Sequence, residues 1–252
     1  MCRSRSLLGL AAVCLLAFAA HSPADQKAPD GFVSLFNGRD LTGWKVPPGD
    51  NGHWKVLDGV IDYDARSESH RDKCLWTEQS FGDFILRVEW RLKTDPGFKH
   101  NVPVILPNGD DKTDADGKKV TVPIEDVDSG IYLRGNDKSQ VNIWMWPIGS
   151  GEVYGYRTDK KMPAEVRAAV TPKEHADKPR GEWNTFEITM KGDRLWVKLN
   201  GVQVISEAQL PGVPKDGPIA LQHHGSYSTM LGKWLGPPSL VQFRNISIKE
   251  LK

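Results

Sequence analysis

The sequence predicts an all-β protein built from two packed antiparallel sheets. Short runs rich in β-branched and aromatic residues recur along the chain, each bounded by Gly, Asp, Asn or Pro. Asp58-Gly59 and Asn200-Gly201 separate such runs and are typical two-residue hairpin turns. The one modest helical candidate, "PAEVRAAVTPKEHA", is interrupted by Pro172. A chain of 252 residues can form one large core in a single domain of this class.

The first nineteen residues, 1–19, have the features of a secretory signal peptide. Arg3 and Arg5 precede an apolar stretch, and Ala-Phe-Ala at 17–19 forms a small-x-small cleavage signature. The apolar stretch is too short for a comfortable membrane span. A lipid anchor on Cys14 fits less well, because Val13 precedes it and the apolar run continues beyond it. The sequence therefore predicts a secreted or periplasmic protein without stable membrane insertion.

The remaining chain divides into a polar linker at 20–30 and one domain at 31–252. Lys and Arg number 33 and Asp and Glu 32, and this balance argues against a nucleic-acid partner, which normally requires a basic surplus. After cleavage only Cys74 remains, so neither an internal disulfide nor a cysteine-based zinc site can form. Its position at the start of an apolar run predicts a small buried side chain rather than a catalytic thiol.

A long insertion at 93–127 interrupts the rhythm of the strands. Its acidic stretch from Asp110 to Gly117 resembles a calcium-binding loop only superficially, because that pattern requires an acid or Asn at Lys112 and a Glu at Pro123. We therefore interpret this stretch as the solvated tip of a hairpin.

Period-two alternation assigns the side chains of four predicted strands to two faces. These runs are "DFILRVEWRLK", "DSGIYLRG", "QVNIWMW" and "PIALQHHG". The core face is predicted to carry Phe84, Leu86, Val88, Trp90, Leu92, Ser129, Ile131, Leu133, Val141, Ile143, Met145, Leu221 and His223. The other face is predicted to carry Arg87, Glu89, Asp128, Tyr132, Arg134, Gln140, Asn142, Trp144, Trp146, Gln222 and His224.

This second face has the composition of a carbohydrate site. Aromatic rings stack on the apolar faces of sugars, while amides and guanidinium groups hydrogen-bond their hydroxyls. We expect Arg87, Tyr132, Asn142, Trp144 and Gln222 to contact a glycoside or oligosaccharide. The alternative is that some of these side chains form interstrand ion pairs or pack under the insertion.

The adjacent histidines near the C-terminus are expected to have different roles. Neighbouring side chains of a strand point to opposite faces, so His224 joins Gln222 on the polar face while His223 follows Leu221 inward. We expect His224 to face the ligand and His223 to be a hydrogen-bonded structural histidine at the edge of the core.

Several motifs occur together in a recognisable order. They include "SLFNGRDLTGW", "LWTEQSFGDFILRVEWRL", "DSGIYLRG", "GEWNTFEITMKGDRLWVKLNGVQV" and "GPIALQHHG". Together they resemble the bacterial 3-keto-disaccharide hydrolase domain family, also called 3-keto-glucoside 1,2-lyase and 3-keto-2-hydroxy-glucal hydratase. The resemblance covers residues 31–252 and implies a concanavalin-like jelly-roll sandwich.

The resemblance also implies a reaction on glycosides that are already oxidised at carbon 3. Elimination across carbons 1 and 2 is followed by hydration, and the chemistry requires a base, an acid and an electrophile at the ketone. Glu89 or His224 could be the base, and Arg134 could stabilise the enolate, with a divalent metal ion as an open option that no ligand spacing requires. Asp128 or Tyr132 could orient a hydroxyl or donate a proton.

The chain departs from the family pattern in its candidate site. Many members have "EVQILD" where this chain has "QVNIWM", and Asn where Asp128 stands. Two other functions stay open from sequence alone. One is a non-catalytic carbohydrate-binding module, and the other is a conventional two-carboxylate glycosidase that uses Glu89 and Asp128.

Overall fold

The computed structural model describes residues 28–94 and 97–252. The predicted signal peptide and most of the predicted linker lie outside these residues. The described chain is a sandwich of two antiparallel sheets that share one hydrophobic core. This confirms the all-β two-sheet class that the strand pattern predicts and the jelly-roll fold that the family resemblance implies.

Strands β1 to β17 and two short helices follow one another in the described residues. They are β1 (Val33–Ser34), β2 (Trp44–Lys45), β3 (Trp54–Leu57), β4 (Val60–Asp64), β5 (Leu75–Phe81), β6 (Phe84–Leu92), β7 (Lys99–Pro103), β8 (Thr121–Glu125), β9 (Asp128–Leu133), β10 (Asn136–Trp144), α1 (Tyr154–Arg157), α2 (Ala164–Ala169), β11 (Asn184–Lys191), β12 (Arg194–Leu199), β13 (Val202–Gln209), β14 (Gly217–Leu221), β15 (Tyr227–Ser228), β16 (Lys233–Trp234) and β17 (Leu240–Glu250).

The larger sheet has the order β13-β12-β11-β6-β17-β4-β3, and β1 pairs with β17. Two of its hairpins close as the sequence predicts. Asp58 and Gly59 have φ values of 50° and 77°, and Asn200 and Gly201 have 53° and 84°. Two consecutive positive φ angles give the turn whose twist matches the flanking strands, which is why Asp-Gly and Asn-Gly occur here.

The smaller sheet has the order β10-β9-β14-β5-β2. Its register aligns Trp144 with Asp128 and Asn142 with Gly130 across β10 and β9. After β14 ends, the backbone N–H of Gln222 still donates to the carbonyl of Gly130. The outer face of this sheet therefore gathers the polar ends of three strands.

The core matches the face assignment made from alternation. The five predicted core residues of β6 are all at most 3% exposed, and so are those of β9. They pack against the inner side of β11, where Phe186, Ile188 and Met190 are fully buried. Met145 is partly buried against the same core.

The 93–127 insertion contains the hairpin of β7 and β8 and an exposed tip. The carboxylate of Asp114 accepts the backbone N–H groups of Asp116 and Lys118, so it organises a turn from within. This agrees with the predicted solvated hairpin tip. An ion pair of 2.7 Å between Arg167 and Asp110 connects the insertion to α2.

Helix α2 occupies the predicted helical segment and ends before Pro172. Its one fully packed side chain, Val166, joins the core. No helix in the described ranges is both long and apolar enough to span a bilayer.

Candidate functional site

The candidate site is the outer face of the smaller sheet, which we call the groove. At one end of this face is an open cleft of about 590 Å³, and its lining includes Asp72, Cys74, Trp76, Tyr132, Asp137 and His223. The Trp76 and Tyr132 rings lie 5.8 Å apart, centroid to centroid, and provide an aromatic surface. Such a surface suits the apolar face of a sugar ring.

The other end of the groove holds a histidine and a carboxylate. His224 Nε2 lies 3.8 Å from Asp128 Oδ2, which is longer than a hydrogen bond. His224 Nδ1 lies 2.7 Å from the carbonyl oxygen of Pro237, so this nitrogen carries a proton and donates it there. In the neutral ring Nε2 is consequently unprotonated and directed toward Asp128.

The backbone holds this pair in place through Ser239. The backbone N–H of His224 donates to Ser239 Oγ at 2.6 Å, and that hydroxyl donates to the backbone carbonyl of Asp128 at 2.7 Å. Ser239 is fully buried. One internal hydroxyl therefore ties the backbones of Asp128 and His224 to each other.

Asp128 has an environment that favours its protonated form. The pKa of its carboxyl is raised to about 7, mainly by burial; His224 opposes this shift, and the nearby carboxylate of Asp126 adds to it. Oδ1 of Asp128 is buried and has no hydrogen-bond partner. At neutral pH this carboxyl is thus divided between its acid and carboxylate forms.

The raised pKa of Asp128 predicts a specific pH dependence of stability. Its pKa is higher in the folded than in the unfolded state, so its contribution is most favourable below pH 4 and is lost as the pH rises from about 4 to about 7. At roughly 1.4 kcal/mol per unit, Asp128→Asn should gain up to about 4 kcal/mol relative to wild type between pH 4 and pH 8. Urea unfolding at both pH values measures this.

The control for this measurement is Asp116→Asn in the exposed hairpin tip, which should leave the pH dependence unchanged. Parallel pH profiles for wild type and Asp128→Asn would contradict the raised pKa.

Amide side chains line the middle of the groove. Gln140 Nε2 donates to Gln222 Oε1 at 2.6 Å and to the carbonyl of Ser129 at 3.2 Å. The amide of Gln140 lies over Gly130, where a Cβ would approach Nε2 to 2.4 Å, so only glycine leaves room for it. Asn142 is buried beside them, and its Oδ1 has no hydrogen-bond partner.

Tyr132 connects the amides to the aromatic end of the groove. Burial raises the pKa of its phenol, and a hydrogen bond with Gln222 opposes the shift. The phenol stays protonated at any ordinary pH and can donate to a ligand. The structure thus brings Asp128, Tyr132, Asn142, Gln222 and His224 onto one face, as alternation predicts.

Two polar groups beside the groove were not predicted. The carboxylate of Asp126 is fully buried, accepts the indole N–H of Trp146 at 3.1 Å and lies 2.7 Å from His100 Nε2. Glu152 and Arg157 form a buried ion pair in the segment after β10. The signal for Asp126 was its position two residues before Asp128, on the same side of the chain. Nothing in the sequence pattern pointed to Glu152 and Arg157.

The prediction that Glu89 and Arg87 share a face with His224 is wrong. Both residues lie on β6 of the larger sheet, whose outer side faces away from the groove. Glu89 accepts from Arg244 at 2.7 Å, and Arg87 pairs with Glu187 at 2.7 Å. Alternation separates inner from outer sides, but it does not tell which sheet a strand joins.

The expectation that Arg134 stabilises an enolate in the groove is also wrong. Its guanidinium is buried at the end of the sandwich and donates to Asp83 Oδ1 and to the carbonyls of Gly82, Gly192 and Pro214. Arg134 has a φ of 54°, and this left-handed residue reverses the side-chain direction that alternation implies. The residue joins turns rather than binding a ligand.

Trp144 is not an open sugar platform. It is 2% exposed, its indole N–H donates to the carbonyl of Gly149 at 2.7 Å, and its ring stacks on Trp146 at 4.2 Å. The segment after β10 folds back over the predicted outer face at this edge strand. Trp144 therefore supports the groove from the side.

This burial predicts that Trp144→Phe lowers stability by about 1–2 kcal/mol, because the Gly149 carbonyl loses its donor and part of the ring is removed. Chemical denaturation measures the loss. Trp183→Phe is the control, since Trp183 is half-exposed and stacks only under guanidinium groups. An unchanged midpoint for Trp144→Phe would contradict a structural role.

His223 is half-buried at the edge of the core, as alternation predicts, but it also lines the open cleft beside Trp76 and Tyr132. Its Nδ1 is 2.6 Å from the hydroxyl of Tyr63, a fully buried residue of β4. Burial lowers the pKa of His223 to about 4, so the ring is neutral at physiological pH. Cys74 lies beside it, and burial raises the pKa of this thiol to about 12, which agrees with an unreactive side chain.

The groove does not offer the donor set of a divalent cation site. Within the described residues no three His, Cys, Asp or Glu side chains come together around one point. Asp128 and His224 provide two donors, but the neighbouring Asp126 carboxylate is already engaged by His100 and Trp146. The open option of a metal ion in this site thus finds no matching set of ligands among the described residues.

Comparisons with known proteins agree with the fold. A model of the 3-keto-alpha-glucoside-1,2-lyase-like domain family matches residues 31–249. A structure from Parabacteroides distasonis ATCC 8503, provisionally named a glycosyl hydrolase, is 22% identical with a TM-score of 0.53, covering 88% of this chain and 84% of that chain. A second protein with that provisional name and source is 17% identical with a TM-score of 0.52, covering 88% and 95%. A search of curated proteins found no match.

Proposed function

Because the chain belongs to the 3-keto-alpha-glucoside-1,2-lyase-like family, whose match spans nearly the whole described domain, we propose that it cleaves 3-keto-glycosides. The family and the glycosyl hydrolase fold support a carbohydrate-active protein. The finer proposal is elimination across carbons 1 and 2, followed by hydration of the resulting enone. It also includes secretion or periplasmic location after cleavage of residues 1–19, which N-terminal sequencing of the mature protein tests.

The observation that carries the proposal is the Asp128–His224 pair. One member offers an unprotonated ring nitrogen, and the other is a carboxyl whose pKa is raised to about 7. A base and an acid fixed 3.8 Å apart can act on adjacent atoms of one sugar ring. The proposal assigns the base to His224 and the acid to Asp128.

The ketone at carbon 3 acidifies the hydrogen on carbon 2, so an imidazole can remove it. His224 Nε2 takes this proton, and the electron pair of the broken C–H bond forms an enolate on the ketone oxygen. The enolate then re-forms the ketone, a double bond forms between carbons 1 and 2, and the C1–O bond breaks. Asp128 gives its proton to the departing oxygen.

Hydration restores both groups. Water adds its oxygen to carbon 1 of the enone while the Asp128 carboxylate takes a proton from it, and the His224 imidazolium returns a proton to carbon 2. The net change is hydrolysis of the glycosidic bond. Both residues finish in the protonation states in which they began.

Neutral donors serve the developing enolate in this proposal. Tyr132 retains its phenolic proton, and the amides of Asn142 and Gln222 lie on the same face. Preorganised neutral donors stabilise charge as it forms and cost no reorganisation at that moment. They take the place of Arg134, which the structure puts outside the groove.

The structure argues against a conventional two-carboxylate glycosidase, because the two carboxylates suggested for it lie on different sheets. The sheets of a sandwich lie about 10 Å apart, and Glu89 and Asp128 point outward from different sheets. Their separation therefore exceeds the roughly 5–9.5 Å that paired glycosidase carboxylates require. A non-catalytic binding module remains the second candidate, because the aromatic cleft by itself fits a sugar.

The test compares 4-nitrophenyl glucoside with its 3-keto form. Release of nitrophenol from the keto form alone, with the enone or the 3-keto sugar as the second product by mass spectrometry, is the expected result. Release from both substrates would contradict elimination, and saturable binding without release would identify a binding module. Asp128→Asn, which keeps the shape of the side chain, should fold and should slow cleavage of a 3-keto-disaccharide, whose sugar leaving group needs a proton, much more than release of nitrophenol.

A further inference from the structure

The two adjacent histidines both border the candidate site. His224 Nδ1 donates to the carbonyl of Pro237 at 2.7 Å, which leaves its Nε2 unprotonated in the neutral ring. His223 is half-buried and lines the open cleft beside Trp76 and Tyr132. The mechanism proposed above gives this second ring no role. What His223 can offer a ligand in the cleft depends on which of its nitrogens carries the proton.

The hydroxyl of Tyr63 determines the position of that proton. It lies 2.6 Å from His223 Nδ1, and Tyr63 is fully buried. Burial raises the pKa of this phenol, so it keeps its hydrogen and needs an acceptor for it. The backbone N–H of Ser67 donates to the phenol oxygen, and the nearby Asp50 Oδ1 has no partner. Among the described residues, His223 Nδ1 is therefore the acceptor placed for the hydroxyl hydrogen.

With Nδ1 accepting, the neutral ring of His223 carries its proton on Nε2. Burial lowers the pKa of the ring to about 4, so it is neutral near pH 7. The Tyr63 ring stacks on Trp54 at 3.7 Å and meets the His223 ring edge-on at 5.7 Å, which fixes the orientation of the imidazole. Nδ1 and Nε2 lie on opposite sides of an imidazole ring. Because Nδ1 is directed at a buried phenol, the Nε2 side is left for the cleft.

We propose that His223 binds the substrate of the groove through a neutral Nε2–H donor. A sugar unit lying on the rings of Trp76 and Tyr132 provides the acceptor, which is a hydroxyl or the ketone oxygen. The neighbouring rings then have complementary roles, since His224 Nε2 accepts a proton from the substrate and His223 Nε2 donates a hydrogen bond to it.

A neutral donor suits this position. An imidazolium at 223 would place a positive charge beside His224 and lower the basicity of the proposed base. The hydrogen bond from Tyr63 and the burial of the ring keep His223 uncharged while leaving it one donor. The identity of the ligand rests on the proposed function, whereas the protonation state of the ring does not.

The first test determines the protonation states directly. Long-range ¹H–¹⁵N spectra of the histidine rings at pH 7 should show an unprotonated Nδ1 and a protonated Nε2 for His223, and the reverse for His224. Spectra of His223→Asn and His224→Ala assign the resonances. A protonated Nδ1 in His223, which would donate to Tyr63 or to the nearby carbonyl of Gly225, would overturn the proposal.

The second test separates the two nitrogens of His223 by substitution. An Asn amide occupies the place of Nδ1, and a Gln amide reaches the place of Nε2. Isothermal titration calorimetry with 4-nitrophenyl 3-keto-glucoside, in the His224→Ala background, measures affinity without turnover. We expect about a tenfold loss in His223→Asn and less than a threefold loss in His223→Gln. Stability should follow the opposite order, because Gln leaves the Tyr63 hydroxyl unpaired.

His53→Asn is the matched control. This histidine pairs with Asp64 at the hairpin of β3 and β4, and its replacement should leave the affinity unchanged. No saturable binding by the His224→Ala parent, equal affinity of His223→Asn and the parent, or a larger loss in His223→Gln than in His223→Asn would overturn the proposal. If the wild type binds the 3-keto-glucoside without cleaving it and His223→Asn still weakens binding, the proposed reaction is rejected and the role of His223 is retained.

Discussion

Replacing His224 by alanine is expected to reduce turnover of a 3-keto-glycoside about a hundredfold or more. The reason is loss of the base that removes the carbon-2 proton, and general base catalysis contributes about this much. The melting temperature should change little, because the backbone N–H of His224 keeps its bond to Ser239. Initial rates with 4-nitrophenyl 3-keto-glucoside, normalised to folded protein, measure the effect.

His53→Ala is the matched control. His53 also pairs with an aspartate, Asp64, at 2.9 Å, but this pair lies at the hairpin of β3 and β4 in the larger sheet. Full activity of both variants would move the chemistry away from this end of the groove.

The pH profile provides an independent check on the acid. Wild-type activity should fall as the pH rises through about 7, because the Asp128 carboxyl then loses the proton that it must donate. If the residual activity of Asp128→Asn falls with rising pH in the same way as that of the wild type, the acid is another group.

Replacing Arg134 by methionine is expected to lower the free energy of unfolding by about 3–5 kcal/mol. The guanidinium is 1% exposed and donates to three backbone carbonyls and one carboxylate, and all four acceptors would lose their donor together. Methionine keeps most of the side-chain volume, so the loss reports on polar pairing rather than on a cavity. Urea denaturation followed by tryptophan fluorescence measures it.

Arg194→Met provides the comparison for Arg134. Arg194 is half-exposed and lies 3.6 Å from Asp193, and solvated surface pairs of this kind contribute about 0–1 kcal/mol. The activity of folded Arg134→Met should equal that of wild type under stabilising conditions. A stable but inactive variant would instead return Arg134 to the role of an enolate partner.

The fold could be predicted from the sequence because its signals are local. The alternation of β6, the glycine turns at Asn200-Gly201 and the acidic tip around Asp114 each depend on a few neighbouring residues. The assignment of β6 to one sheet and β9 to the other depends on long-range strand pairing. The alternation of side chains along a strand carries no information about that pairing. For this reason Glu89 was assigned to the correct side of its strand but to the wrong surface of the protein.

The candidate site was predictable in the strands and not where the chain leaves them. Asp128 and Asn142 are members of β9 and β10, and His224 follows the end of β14 by three residues; all three meet on one face as predicted. Arg134 lies at a positive φ in the turn between β9 and β10, and Trp144 lies under a returning segment; the first feature reverses the predicted side-chain direction and the second covers the predicted face.

The burial of Cys74 turns this residue into a reporter of local opening. It is the single cysteine of the described chain and is held beside His223 under the rim of the groove. With its pKa raised to about 12, the thiol cannot react with an alkylating reagent until the rim separates from the sheet. The labelling rate of an unmodified protein would thus measure how often this end of the groove opens. A sugar that closes the groove would register as slower labelling.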